Sequence, residues 1–393
     1  MSFDFDRRIS RLGTHALKYD ARQTYFDSPD VLPLWVADMD FAAPEAVTRA
    51  LSERAAHPVY GYTLYPDSMY EALAGWLAQR HGWRVEREWI VMVPGVVPSL
   101  HAAVLACAAA GEGVVVQPPV YFPFFSSVTQ TGRRLLLNPL REDGGRYRID
   151  FEHFEQCAAE AKLLLLCSPH NPVGRIWSRD ELEQLLQIAR RHKLAILSDE
   201  IHADLVYPEF HHTMLATLAQ QGDNIITAVA PSKTFNIPGL GLSALVIPDA
   251  GQRAAFRKVF ELLPPAGANP FSVAAFEAAY REGGPWLDSL LPYLRNTRDF
   301  VHGYLIEHVP QIRLVEPEGT YLLWLDCRAL GMSDGELREF FAQQAKVGLS
   351  PGALFGDGGS GYMRLNIGAP LSLVAEALRR IAEAIRGIAG ESR

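Results

Sequence analysis

The sequence predicts an α/β protein in which a large unit, built on a mainly parallel sheet with helices on both faces, is joined to a smaller α+β unit. Short and nearly continuous apolar runs recur at Val114–Gln117, Leu163–Cys167, Leu194–Ser198, Ile225–Ala230 and Ala244–Ile247. Runs of this length, without polar alternation, suit strands covered on both faces. Helical patterns lie between them. The segment from Arg179 to His192 is apolar at Leu182, Leu185, Leu186 and Ala189, and Ser178 with Glu181 forms a capping box at its start. Strand, helix and strand in this succession imply right-handed crossovers.

The remaining elements follow from local pattern. Val93-Pro94-Gly95-Val96-Val97-Pro98-Ser99 leads into an apolar helix over Leu100–Ala110, with Pro98 near its first turn. After about residue 285 the pattern changes to a long helix over 286–309, an antiparallel strand over 319–326 and a terminal amphipathic helix over 371–388. The first forty or so residues are irregular and could pack on either unit. A length of 393 residues favours more than one domain. The expected division is a larger domain over 46–285 and a smaller one formed by 1–45 with 286–393.

Composition excludes several function classes. The net charge is −8 and no long run of Lys and Arg occurs, so neither nucleic acid nor an anionic membrane is the expected partner. The four cysteines, Cys107, Cys157, Cys167 and Cys327, form no C-x-x-C pair, which argues against a disulfide framework or structural zinc and fits a reducing compartment. No metal ligand set is expected, and His211-His212 reads as loop surface. The N-terminus lacks a signal-peptide core, and no segment reaches the roughly 18 apolar residues of a membrane span. The expectation is a soluble, cytoplasmic protein.

In an open α/β sheet, ligands bind beyond the carboxyl ends of the strands. The residues following the apolar runs are Tyr121, Asn171, Asp199 and the pair Ser232-Lys233. Each has an ordinary reading: Asn-Pro-x-Gly as a turn, Asp as a helix cap, Lys as solvated surface. Their succession at one rim is chemically coherent in a way the ordinary readings are not. A lysine held neutral can form an imine with an aldehyde cofactor. A buried carboxylate keeps a pyridine nitrogen protonated, so that pyridoxal 5′-phosphate (PLP) acts as an electron sink. An amide can hydrogen-bond the phenolic oxygen, an aromatic ring can stack on the pyridine, and a helix start can hold phosphate.

Asn171-Pro172-Val173-Gly174, Asp199-Glu200, Ser232-Lys233-Thr234-Phe235-Asn236 and Arg364-Leu365-Asn366-Ile367-Gly368 resemble motifs of the fold-type I PLP enzymes of the class I/II aminotransferase family. The resemblance spans essentially the whole chain. It implies Lys233 as the imine lysine, Asp199 as the pyridinium partner, Asn171 on the phenolic oxygen and Tyr121 stacked on the ring. Gly95, Val96, Val97 and Ser232 would hold the phosphate, with His202 also at the cofactor. Arg364 would clamp the substrate carboxylate, beside Ala37 and Asp38. Tyr62 resembles a tyrosine that reaches the phosphate of a neighbouring subunit, which implies a homodimer with shared sites.

Leu34-Trp35-Val36-Ala37-Asp38-Met39-Asp40-Phe41, Ser168-Pro169-His170-Asn171 and Ser198-Asp199-Glu200-Ile201-His202 resemble the MalY/PatB-like branch of carbon–sulfur lyases. Where aminotransferases of the family typically carry Tyr, Arg and Ser, this chain has His202, Gly241 and Ala230. The last two departures leave more of the phosphate to Ser232, backbone amides and Tyr62. The resemblance implies β-elimination from cystathionine or another cysteine S-conjugate, giving pyruvate, ammonia and a thiol. The alternatives are amino transfer from an L-amino acid to a 2-oxo acid, and an additional regulatory role through protein contact.

Overall fold

The computed structural model describes residues 3–262 and 268–391. Seven strands form the principal sheet: β1 (Ile90–Val93), β2 (Gly113–Val116), β3 (Arg134–Leu137), β4 (Ala161–Cys167), β5 (Ala195–Asp199), β6 (Ile225–Val229) and β7 (Ser243–Val246). They pair in the order β1-β7-β6-β5-β4-β2-β3. The pairings from β6 through to β3 are parallel, whereas β7 runs antiparallel to both β6 and β1. The five strands expected from apolar runs are all present, within two residues at each end. The edge strands β1 and β3 were not expected, because Arg134–Leu137 is short and Ile90–Val93 runs directly into Pro94-Gly95.

Both faces of the sheet are covered, which explains the lack of alternation. Leu163 and Leu165 of β4 pack with Leu100, Val104 and Phe124 on one side. Their neighbours Leu164 and Leu166 pack with Phe154, Leu182, Leu185 and Leu186 on the other. Successive side chains thus enter different cores. The helix Arg179–His192 has the expected bounds; Ser178 accepts the Glu181 N–H, and the Glu181 side chain returns to the Ser178 N–H. Burial of several large aliphatic side chains, each contributing about 1.5–3 kcal/mol, holds every strand in register.

The smaller sheet is antiparallel and ordered Arg313–Leu314, Leu322–Asp326, Tyr362–Asn366, Ser350–Pro351. Helices Gly284–His308 and Leu371–Glu391 pack on each other beside it. The expected strand over 319–326 begins its regular pairing only at Leu322, since Thr320 holds a positive φ of 68°. The N-terminal segment is less irregular than expected. It forms helices Leu17–Asp20 and Arg22–Phe26, and Leu32–Pro33 pairs in parallel with Val347–Gly348. Helices Glu45–Ala56, Asp67–His81 and Pro270–Glu282 are among the other elements of the chain's early and middle parts. The proline-rich stretch 264–270 falls largely on residues outside the described ones.

One expectation is corrected. His212 is not loop surface: its side chain is 2% exposed and pairs with the fully buried Glu200 at 2.7 Å. The unbroken polarity of His211-His212 concealed a carboxylate waiting below, and only His211 faces solvent. Among the described residues, no helix is long and apolar enough to cross a membrane.

The turn at Asn171–Gly174 is locked to the smaller sheet. Gly174, at φ 71°, accepts N–H groups from Glu318 and Gly319, and a Cβ there would press on Pro317. The Glu318 carboxylate, 2% exposed, bonds Arg175, the Ile176 N–H and Arg146. Removing one partner from a buried ion pair strands the other. Glu318→Ala is therefore expected to lower unfolding free energy by about 3–5 kcal/mol in urea titrations, and Glu318→Gln by distinctly less.

Candidate active site

The carboxyl ends of β1, β2, β4, β5 and β6 open on one rim, and the chemistry collects there. β1 ends at Pro94-Gly95, from which Val96 starts the helix Val96–Cys107 with its first N–H groups unbonded within the helix. Tyr121 follows β2, and its N–H bonds Asn171 O at 3.2 Å. Asp199 is the last residue of β5. Beyond β6 the chain turns into a four-residue helix, Pro231–Thr234, that carries Ser232 and Lys233. Thr234 is fixed from behind by Asp204 at 2.8 Å, and Asp204 also takes bonds from Trp76 and His81.

These elements enclose a cavity of about 230 Å³, lined by Ala37, Gly95, Val96, Val97, Tyr121, Cys167, Asn171, Asp199, His202, Ser232 and Lys233 among others. Gly241 also lines it, in a left-handed conformation at φ 40°. A larger, open groove of about 980 Å³ lies elsewhere, along Trp83, Leu194 and Asn224. Of its charged members, Arg190 and Asp223 pair with each other at 2.7 Å.

Two charges in the smaller cavity lack full compensation. Asp199 is 5% exposed and accepts the Ile201 N–H at 3.2 Å, with no ion-pair partner among the described residues. Burial, reinforced by the neighbouring Glu200, raises its carboxyl to about 7, against the opposing pull of Ile201 N–H and Lys233. Lys233 donates to Ala37 O at 2.6 Å. Burial and the nearby Arg364 lower its ammonium to about 8, although Asp38 and Asp199 favour the charge. His202 is driven down to about 3 by burial, then by Lys233 and Arg364, and is a neutral ring whose Nδ1 is buried without a partner among the described residues.

Arg364 lies at the side of the cavity, lowered to about 10 by burial. It donates to Asn171 Oδ1 at 3.0 Å, Trp35 O at 2.9 Å and Ser350 Oγ at 3.2 Å, and its Nε has no partner among the described residues. Unspent donors on a buried guanidinium suit a carboxylate ligand. Of the residues singled out by sequence, Tyr62 is remote, and Asp38 turns its carboxylate away from the cavity to Arg11 and Lys18. Tyr62 is fully exposed, among exposed Val59, Tyr60 and Leu64.

Sequence reasoning missed several neighbours. Tyr321 donates to Ala37 O at 2.9 Å. Asn236 and Asn366 tie down the 36–41 backbone, Asn236 through Met39 and Phe41, Asn366 through Val36 and Asp38. The asparagines stood inside recognised motifs, whereas nothing around Tyr321 marked it.

Residues 29–385 match the family described as Aminotransferase class I and II. The chain belongs to this family. It is 45% identical to the cystathionine beta-lyase PatB of Bacillus subtilis, over 97% of this chain and all of that one. Among solved structures, cystalysin from Treponema denticola, which contains pyridoxal 5′-phosphate, superposes with a TM-score of 0.96 at 36% identity, covering 99% of this chain and 100% of that one. A PLP-bound putative aminotransferase from Clostridium difficile gives 0.96 at 40%, covering 98% and 100%.

Asp199 also gives this aminotransferase-family fold a pH signature. Its folded-state value lies above its unfolded value, so the native state holds the extra proton between roughly pH 4 and 7, and stability falls as pH rises through that window. In ligand-free protein, Asp199→Asn is expected to flatten this decline and melt higher than the parent at pH 8. Parallel stability–pH curves for the two proteins would contradict the assignment.

Proposed function

We propose that the protein is a PLP-dependent carbon–sulfur β-lyase that cleaves cystathionine or related cysteine S-conjugates to pyruvate, ammonia and a thiol. The observation that carries this reading is the pair of undercompensated groups, Lys233 and Asp199, lining one small cavity in a chain 45% identical to a cystathionine beta-lyase. The residues fit PLP. A pyridinium N–H would supply the cation Asp199 lacks, and the start of helix Val96–Cys107 with Ser232 would receive the phosphate. When bound, PLP supplies an electron sink for a carbanion at Cα.

The chain's own groups then divide the work. Asp199 would hold the ring-nitrogen proton, Asn171 would bond the ring oxygen, and Tyr121 would lie against the ring. Gly95, Val96 and Val97 offer backbone N–H groups to the phosphate. The absence of an arginine at Gly241 leaves more of that load to Ser232. Arg364 binds the substrate carboxylate, with Ala37 and Asp38 alongside and neutral His202 lining the cofactor side. Lys233 would remove the Cα proton through Nζ, since its lowering to about 8 leaves more of the amine unprotonated near neutral pH. Lys233 or Tyr121 then protonates the departing sulfur. The released enamine hydrolyses to pyruvate and ammonia.

The reading extends to assembly. A larger PLP-binding domain over 46–285 and a smaller one from 1–45 with 286–393 would meet at the cavity. Tyr62, exposed with Val59, Tyr60 and Leu64, would reach the phosphate of a second copy, making a cytoplasmic homodimer with shared sites. Amino transfer would use nearly the same residues, and the likeness to a putative aminotransferase supports it as the second reading.

Incubation of the loaded protein with L-cystathionine alone is expected to release pyruvate and free thiol in equal amounts, with Lys233→Ala slower by roughly 10²–10⁴-fold or more. Amino transfer to a 2-oxo acid without thiol release would select the second reading.

A further inference from the structure

The segment Trp35–Phe41 has no regular secondary structure, yet its backbone carbonyls are held one by one. Trp35 O accepts from Arg364 and Ser350, Val36 O from Asn366, and Ala37 O from both Lys233 and Tyr321. Asp38 O accepts from Asn366, and Met39 O and Phe41 O from Asn236. The segment's acidic side chains point to a separate anchor. Arg11 grips both oxygens of Asp38, at 2.8 and 3.0 Å, and one oxygen of Asp40 at 2.8 Å. Lys18 completes the group: it bonds Asp40 at 2.8 Å, lies 3.6 Å from Asp38, and is wholly buried. The Trp35 indole returns to Lys18 O at 3.0 Å.

Two cations and two carboxylates make this quartet neutral. A fully buried lysine is tolerated only when paired, so Lys18 commits the N-terminal helix to this docked arrangement. The quartet touches Lys233 through one link, the Ala37 carbonyl, and acts on it at a distance through the charge of Asp38.

We propose that Arg11 and Lys18 are positioning residues for Lys233: by anchoring and neutralising Asp38 and Asp40, they hold the Ala37 carbonyl against the lysine amine and keep the Asp38 charge from dominating it. This rests on the role given to Lys233 above. The other groups facing Lys233 are Arg364 and Asp199, which act on it electrostatically, Tyr321, which shares the Ala37 carbonyl, and His202 on the same wall. With Arg11 removed, two carboxylates face Lys18 alone, and the net negative charge favours a protonated nitrogen at Lys233. With Asp38 removed, two cations face Asp40 alone, and the net positive charge disfavours it.

The test is a pH titration of the visible absorbance of the PLP-loaded protein without substrate, in the parent, Arg11→Gln, Asp38→Asn and the double variant. Arg11→Gln is expected to move the midpoint up by roughly 0.5–1 pH unit, Asp38→Asn to move it down, and the double variant to return near the parent. Arg11→Lys should recover most of the shift. Coincident midpoints, or shifts of the same sign in both single variants, would overturn the proposal by showing a purely structural role. If Arg11→Gln does not fold, Asp38→Asn decides alone: a lower midpoint supports the proposal and an unchanged one overturns it. A visible band that survives Lys233→Ala would instead refute the role of Lys233 itself.

Discussion

A carboxylate buried without a cation organises this molecule. Asp199 terminates a strand whose five residues are all buried, and no ion pair reaches it among the described residues. Taking a carboxylate out of water costs several kcal/mol unless something compensates, and here the compensation is left to whatever enters the cavity. The same low-polarity setting depresses Lys233, so one wall holds an acid that resists ionising and another an amine that readily loses its proton. These two displacements are complementary, because a ligand offering a ring N–H to the first and an electrophilic carbon to the second relieves both. The parallel sheet makes this possible by delivering both groups to one rim from neighbouring strands.

Around that pair the polar groups form supports rather than reactants. Asp204, His81 and Trp76 brace Thr234 and hence the short helix bearing Lys233. Glu200, next to Asp199, is satisfied by Ser198, His212 and the Leu215 N–H. A satisfied Glu200 beside an unsatisfied Asp199 is informative: adjacent acids in one strand end have opposite duties, one structural and one presented to the cavity. On the far side, Asn236, Asn366 and Tyr321 pin a backbone segment that could not otherwise stay in place without regular structure.

Much of this was legible from sequence because buried strands and strand-end residues leave local marks. The apolar runs located β2, β4, β5, β6 and β7, and reading the next few residues found Tyr121, Asn171, Asp199, Ser232 and Lys233, which the cavity brings together. What escaped depends on partners distant in the chain. Tyr321 acts only because Ala37 lies beside it across the fold, and no spacing rule links them. His212 read as surface because its buried partner Glu200 lies in another element. The antiparallel sense of β7 was equally invisible, since a strand covered on both faces has the same composition in either direction. Arg11 and Lys18 looked like ordinary charges in a polar N-terminus until the fold placed two aspartates against them.

The role proposed for Lys233, among all lysines of the chain, is to bond the aldehyde carbon of PLP. Borohydride reduction of the PLP-loaded protein, followed by proteolysis and mass spectrometry, tests this most directly. The expected result is a single phosphopyridoxyl adduct on the peptide containing Lys233. An adduct on another lysine, or none in protein that retains bound PLP, would contradict it.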